Sequence, residues 1–599
     1  MIEMDRALAA AVESARAAGA ILLADFCSAS GPRGQGEKAD ADLEAEREIR
    51  RRLRHAYPEW SYRGEETGVE LERPHAPVWV VDPNDGTRDY LQGRRGSAVS
   101  IGLVAEGRPV LGVVFAFGYP DGTGDLFSWA EGCGPPRRNG RPVAATLPER
   151  LTPEHTVLVS AAADRDPETN LRCVAPARFR AMPSVAHRLA LVAVGEGAAA
   201  SSLYAPCAWD YAAGHALLRG SGGKLVDESG APVTYTESAE SQVQAAFGGA
   251  AQVVAELCRR PWGQVMTGAP RGEVSLEPGR CVADVPLLSR AQGCLLGQLA
   301  GDALGSLVEF LPGSAVAEAY ADGPRLLVDG GTWETLAGQP TDDSEMALAL
   351  ARSILARGQY ESPAAFEAYR AWRDSGPFDI GQATTAGLMG LPLPDSEANG
   401  SVMRVSPLAV FAHALPPGRV AELARSDSRL THPHAHPTDG AGVLAVAIAH
   451  AVGRGEGPRA AYEAARAWAE GEAAEPVRDC LTAAASAPPR CDGADSGRVT
   501  VALQNAFYEL LHAGSVEEGV VATVRRGGDT DTNGAVAGAL LGACYGRGGV
   551  PDQWRLSILS CRPHPFRGRR PRPRIYWPVD ALEIAERLLV AGATQRSGG

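Results

Sequence analysis

The sequence predicts a multidomain protein, a layered α/β half followed by an all-α half. Three observations carry this. Runs of apolar, mostly β-branched residues at Val78-Trp79-Val80-Val81, from Ser97 to Val104 and from Pro109 to Phe115 sit among helical patterns in the first 263 residues. From Ser289 onward, apolar residues recur at helical spacing with no competing strand alternation. Between the halves, residues 264–287 contain Gly268-Ala269-Pro270-Arg271-Gly272 and Pro278-Gly279, lack periodicity and read as a linker or docked connecting strand. The predicted domains are 1–263 and 288–597.

Bulk properties narrow the function. A chain of 599 residues exceeds one ordinary core, and 45% hydrophobic with 22% charged residues excludes disorder of the whole. A net charge of −14 argues against general nucleic-acid or anionic-membrane binding, which need a positive field. A phosphorylated substrate must then be drawn locally, by bound metals. The eleven cysteines are scattered, with no C-x-x-C pair, as in a reducing compartment. Glu3, Asp5 and Glu13 do not fit a secretory signal, and no apolar run reaches about 18 residues. A soluble, cytoplasmic protein is expected.

In the first half, Leu8, Val12, Ala15, Ala18 and Leu22 predict a helix over 4–26, and Lys38 to Asp42 opens a second over Leu43–Tyr57. The strands 97–104 and 109–115 join at Glu106-Gly107. A second sheet-forming part runs from Thr156 through Ser184-Val185-Ala186 to Asp210, which heads a helix of small residues. After the run ending at Val81, Asp82-Pro83-Asn84-Asp85-Gly86-Thr87 places two carboxylates, a rigid turn and a hydroxyl together. Asp82 and Asp85 can aim hard oxygens at one locus, as Mg²⁺ requires, and at Thr87 free backbone N–H groups can meet phosphate. Taken alone, the same residues also fit an ordinary surface turn.

Two further stretches shift that balance: Gly64-Glu65-Glu66, and Trp209-Asp210-Tyr211-Ala212-Ala213-Gly214. With the turn they resemble the inositol monophosphatase superfamily, marked by G-E-E, D-P-x-D-G-T and W-D-x-A-A-G in that order. The resemblance implies an αβαβα fold and Mg²⁺-dependent phosphomonoester hydrolysis with two or three ions. Glu65, Asp82 and the Pro83 carbonyl would hold one metal, and Asp82, Asp85 and Asp210 another; Asp42 is the counterpart of a residue near a third. Thr87 and Glu65 would orient the attacking water, with Gly86 and Thr87 at the phosphate. It also allows a homodimer through this domain.

In the second half, helical periodicity covers 344–357, 418–425, 440–453, 459–470, 498–512 and 534–545, and Ser289 reads as the cap of the first helix. Thr341-Asp342-Asp343 and Gly527-Gly528-Asp529-Thr530-Asp531-Thr532 fall at helix starts. N-capping needs one such residue, whereas each stretch offers several, so a shared dinuclear Mg²⁺ site explains the excess better. Gly534, Gly538 and Gly542 read as close helix packing rather than a cofactor loop, and the basic run Arg562–Arg574 as a solvated loop.

These two stretches, with Asn399-Gly400-Ser401-Val402-Met403-Arg404 between them, resemble the ADP-ribosylglycohydrolase family: T-D-D, N-G-x-x-M-R, G-G-D-T-D-T. Asp379-Ile380-Gly381 further resembles the subgroup containing the dinitrogenase reductase-activating glycohydrolase. The resemblance implies that Thr341, Asp342, Asp343, Asp529, Asp531 and Thr532 hold two Mg²⁺, with Mn²⁺ an alternative, against the distal ribose. Its C1″ bond to nitrogen or oxygen would break beside a carboxylate, for which Glu309 and Asp379 are candidates. Asn399, Arg404 and His432 would meet the ADP portion. The partners implied are a small phosphomonoester and an ADP-ribosylated protein or small adduct. Fusion suggests related phosphorylated adenosine substrates, although inositol phosphates fit the same metal turn. A different class stays open, in which one half is a metal- or nucleotide-binding regulatory module.

Overall fold

The computed structural model describes residues 3–267 and 282–594, and the chain forms two units, Met1–Ala283 and Asp284–Gly599. Of the predicted connecting segment 264–287, residues 268–281 lie outside the described residues.

The first unit is five layers deep. Helices α1 (Met4–Phe26) and α2 (Asp40–Ala56) cover one face of an eight-stranded sheet. Its strands are β1 (Ser61–Gly64), β2 (Gly68–Glu70), β3 (Val78–Asp85), β4 (Ala98–Ala105), β5 (Arg108–Ala116), β6 (Asp125–Ala130), β7 (Arg137–Arg138) and β8 (Arg141–Pro142), in the order β8-β7-β6-β5-β4-β3-β1-β2. β3 leads into the short helix α3 (Thr87–Leu91). The second sheet, order β10-β9-β11-β13-β12, comprises β9 (Thr156–Ser160), β10 (Arg178–Met182), β11 (Ala199–Ser202), β12 (Lys224–Asp227) and β13 (Ala246–Gly249). Between the sheets lie α5 (Val185–Ala193) and α6 (Ala208–Gly220); α4 (Pro167–Val174) and α7 (Ala251–Leu257) close the far face.

Period-two alternation divides the sheet's apolar residues. Trp79 and Val81 pack under α1 and α2, while Val78 and Val80 face the core that contains Leu189, Tyr211 and Leu217. The expected αβαβα layering is what forms. Two expectations change. Ser184-Val185-Ala186, assigned to a sheet-forming part, begins a helix, because Ser184 caps it by accepting the His187 N–H at 2.9 Å. By length and composition α1 is apolar enough to cross a membrane, which the sequence reading did not anticipate. In this fold its Ala7, Ala11, Ala15, Ala18 and Leu22 are buried against the sheet.

Among the described residues the second unit has no strand. Its first helix, α8 (Val285–Gly305), is capped by Asp284, which accepts from the Leu287 N–H at 3.0 Å. Ser289 therefore lies inside it, not at its start. Among the helices that follow are α9 (Asp342–Arg357), α10 (Ala435–Arg454) and α11 (Thr530–Tyr545), the last packing directly on α8. Gly293, Gly297 and Gly301 meet Gly542, Gly538 and Gly534 backbone to backbone: a Cβ on Gly297 would stand 2.1 Å from the Gly538 carbonyl oxygen. The glycines thus serve helix packing.

The basic run is not wholly solvated, because Arg572 is buried and its guanidinium meets both oxygens of Glu345 on α9, at 2.8 Å each. Glu345 also accepts from Trp372 Nε1 at 2.8 Å. Removing one partner of a buried pair strands the other charge. Arg572→Met is expected to destabilise the second unit by about 3–5 kcal/mol, read as a lower urea midpoint at unchanged slope.

Candidate active sites

In a regular strand Asp82 and Asp85, three residues apart, would face opposite sides. Here Asp82 pairs with Ser100 and Asp85 with Ala98, so β3 advances three residues while β4 advances two. This bulge at Pro83-Asn84 turns both carboxylates to one locus. Gly86 then takes φ +101°, where a Cβ would come 3.2 Å from Pro183, a conformation glycine adopts without strain. Asp210 arrives from the first turn of α6, where its Oδ2 accepts from the Cys207 N–H at 2.7 Å. Oxygens of Asp82, Asp85 and Asp210 all lie within 4.8 Å of one another.

Asp85 Oδ2 accepts from Ser184 Oγ and from the Ala186 N–H, both at 2.6 Å, so the N-terminus of α5 points at it. Thr87 Oγ1 lies 2.9 Å from the Asn84 carbonyl and 3.2 Å from Asp42. Asp42 also accepts from Asn84 Nδ2 at 2.9 Å, which ties the counterpart of the third-metal residue to the bulge. Glu65 is open to solvent and donates its N–H to Val81 O at 3.1 Å.

The electrostatics call for a cation. Burial, then the charges of Glu65, Asp85 and Asp210, holds Asp82 well above the usual carboxylate range; burial, then Asp85, does the same to Asp210. Burial pushes Asp85 up to about 6. The nearby buried Arg188 donates its Nη1 to the carbonyls of Met182 and Pro183, and its charge offsets part of the rise at Asp85 and Asp210. An all-oxygen, anionic set of this kind fits Mg²⁺.

The second unit brings its acidic residues together from three helix ends. Thr341 immediately precedes α9, whose first turn carries Asp342 and Asp343, and Asp529 precedes α11, whose first turn carries Asp531 and Thr532. The third end is the last turn of α8. There Asp302, fully buried, accepts from the Thr341 N–H at 3.1 Å, Thr341 Oγ1 at 2.9 Å and the Ser344 N–H at 3.1 Å. Asn399 Nδ2 donates to Asp529 at 2.7 Å. Glu309, Asp379 and Asp531 offer oxygens within 4.8 Å of one another, and Glu309 accepts from Trp333 Nε1 at 2.5 Å.

Here too the carboxylates are held above their ordinary range. Burial, then the charge of Asp379, pushes Glu309 up to about 8, and burial pushes Asp302 up to about 7. Asp342, Asp343 and Asp531 stand well above the usual range, burial being the largest cause for each. Asp343 Oδ1 is buried with no hydrogen-bond partner. An orphaned buried oxygen among mutually repelling acids is a donor set that fits Mg²⁺ or Mn²⁺.

Two residues expected at the ADP portion, Arg404 and His432, are buried in this fold. Arg404 has no exposed surface; its Nε donates to Asp427 at 3.0 Å and its guanidinium stacks 4.3 Å from the Tyr369 ring centroid. A buried arginine needs such partners, and its Nη1 remains without one. His432 is 1% exposed, 2.8 Å from Thr431 Oγ1, and is pushed by burial to about 3, hence neutral, with Nε2 unbonded. Conversely, Asp302, Ser184 and Trp333 were not singled out as site residues. For Asp302 the available signal was a lone carboxylate in the apolar, small-residue stretch Leu299–Gly305 that ends the helix.

Comparisons with known proteins match each half of the chain to a family. Residues 283–595 match the family model described as ADP-ribosylglycohydrolase, and residues 3–259 match that of the inositol monophosphatase family. The second half is 32% identical over 290 residues to ADP-ribosyl-[dinitrogen reductase] glycohydrolase of Rhodospirillum rubrum, covering 46% of this chain and 91% of that protein. The first half is 32% identical over 253 residues to inositol-1-monophosphatase ImpA of Mycolicibacterium smegmatis, covering 40% of this chain and 88% of the relative. Among solved structures, an ADP-ribosylglycohydrolase-related protein complex shares 28% identity, covers 51% of this chain and 98% of its own, and superposes with a TM-score of 0.42. Both families are hydrolases, and the inositol monophosphatase family is Mg²⁺-dependent. Matched over more than half its length, the chain belongs to the ADP-ribosylglycohydrolase family, and its first half is of the inositol monophosphatase family.

Proposed function

We propose that both units are catalytic: a Mg²⁺-dependent phosphomonoesterase in the first and a hydrolase of ADP-ribosyl glycosidic bonds in the second. The observation that carries this is common to both. In each unit three carboxylates converge within 4.8 Å and are held above their ordinary range. Bound divalent ions would supply a nucleophilic water and charge neutralisation at the first centre, and a grip on ribose hydroxyls at the second.

The chain's own residues do the rest. Asp82, Asp85, Asp210, Glu65 and the Pro83 carbonyl form the cation-holding set, and Thr87, anchored at Asn84 and Asp42, aligns the attacking water. At the second centre Thr341, Asp342, Asp343, Asp529, Asp531 and Thr532 hold the ions, and Asp302 fixes Thr341. Glu309 and Asp379 face the carbon that turns oxocarbenium-like.

An aromatic rim favours an arginine-type linkage. Phe310 and Phe378 are the chain neighbours of Glu309 and Asp379, and Trp333 lies between them at ring distances of 6.4 Å and 5.9 Å. Phe310 is 67% exposed at φ +66°, a strained conformation for an aromatic residue. Ring faces beside carboxylates suit a planar cation such as guanidinium. Phe310→Ala is therefore expected to lower kcat/KM on ADP-ribosylarginine by about 2- to 30-fold, from a stacking loss of about 0.5–2 kcal/mol, and to leave an O-linked ADP-ribosyl substrate unchanged.

The test of the first activity is phosphate release by the full chain from inositol 1-phosphate, adenosine 3′,5′-bisphosphate, NADP and ADP-ribose 1″-phosphate side by side. Preference for the adenine compounds would support related substrates for the two units. Preference for inositol phosphate would separate them. No turnover by either unit with Mg²⁺ or Mn²⁺ would overturn the reading in favour of a binding module.

A further inference from the structure

The second unit also carries a cluster with a different donor set. His434 precedes α10 and His436 lies in its first turn, their rings 4.5 Å apart and nearly perpendicular. Glu397 comes from the segment leading to Asn399, where its carbonyl accepts from the Val499 N–H at 3.0 Å and Ala398 pairs with Arg498. A ring nitrogen of each histidine and an oxygen of Glu397 lie within 4.8 Å of one another. His436 Nδ1 is 3.4 Å from Glu397 Oε1, and it is buried without a hydrogen-bond partner. The other Glu397 oxygen lies 3.4 Å from Arg498 Nη1.

An ordinary His–Glu ion pair explains neither the unbonded nitrogen nor the second imidazole brought alongside it. Two imidazoles and one carboxylate are the three-ligand set of a zinc site with an open position. Nitrogen donors of this kind suit Zn²⁺ and its borderline neighbours, whereas Mg²⁺ demands oxygen. With side-chain exposures of 18% for His436 and 28% for Glu397, an ion can enter from solvent. Arg498 then acts from the outer side, holding the Glu397 oxygen that does not ligate. His434 would give up one long contact, the His436 N–H to its Nδ1 at 3.2 Å.

We propose that Glu397, His434 and His436 form a separate centre for a borderline divalent cation of the Zn²⁺ class, distinct from the all-oxygen Mg²⁺ centre. An ion there cross-links the start of α10 to the segment that presents Asn399, two residues from Glu397 and bonded to Asp529. The two centres are thus connected by three residues of backbone.

The test titrates Zn²⁺ calorimetrically into the full-length, chelator-stripped protein in excess Mg²⁺, which keeps the oxygen sites filled, with Co²⁺ absorption as a second readout. One equivalent is expected to bind with d–d bands showing nitrogen ligation. Its affinity should fall at least about tenfold in His436→Ala and in Glu397→Gln. The latter keeps the backbone pairing at Val499, and circular dichroism checks that both variants fold. Zn²⁺ bound equally by wild type and both variants, or displaced by Mg²⁺, or lost only in Asp531→Asn, would overturn the assignment.

Discussion

Replacing Asp85 with asparagine is expected to cut Mg²⁺-dependent phosphate release at least about 100-fold, since loss of outer-shell partners alone costs about 10–100-fold. The first unit should stay folded. Asparagine keeps the shape and an acceptor oxygen for Ser184 Oγ and the Ala186 N–H. What it removes is one of three negative charges crowded within 4.8 Å. In chelator the variant should therefore melt no lower than wild type, while the gain in Tm on adding Mg²⁺ shrinks. Phosphate release that survives in the variant would sink the assignment of this centre, and a collapsed Tm would show that Asp85 is structural.

Asp531→Asn should abolish release of ADP-ribose while leaving phosphate release untouched, and it also changes how stability depends on pH. Asp302 near 7, Glu309 near 8 and Asp531 well above the usual range all bind protons more tightly folded than unfolded. Folding therefore takes up protons between the ordinary carboxylate range, about 4, and those values, and stability must fall as pH rises through that window. The metal-free chain is expected to lose Tm from about pH 5 to pH 8 and to recover it with saturating Mg²⁺. The variant should show a shallower decline than wild type, because one of the opposing charges is gone. An identical slope in the two proteins would mean that Asp531 is not among the charges opposing the fold.

Much of this was legible in the sequence because periodicity and turn chemistry are local. The alternation at Val78–Val81 and 97–115 marked the sheet, and the clustered Thr and Asp residues at two helix starts marked the second centre. What escaped depends on contacts distant in sequence. The β3 bulge is a register shift against β4, invisible from either strand alone. Asp302 becomes part of the site only because α8 ends beside Thr341 and Ser344. Arg404 and His432 sit in motifs full of polar groups, where nothing in the sequence shows that both side chains are buried, against Asp427 and Thr431. Arg572 was hidden by its surroundings: in a run of prolines and arginines nothing marks the one guanidinium that folds inward to Glu345.

The glycine seam between α8 and α11 has a consequence for anyone wishing to retune this protein. Because the two helices touch through main-chain carbonyls at Gly293, Gly297 and Gly301, no side chain stands between them to be trimmed or enlarged. The distance between the acid contributed by α8 and those at the start of α11 is fixed by the polypeptide backbone. Adapting the second centre to an ion of another radius is therefore work for the short loops at Thr341 and at Gly527-Gly528, since the helix pair has no adjustable part.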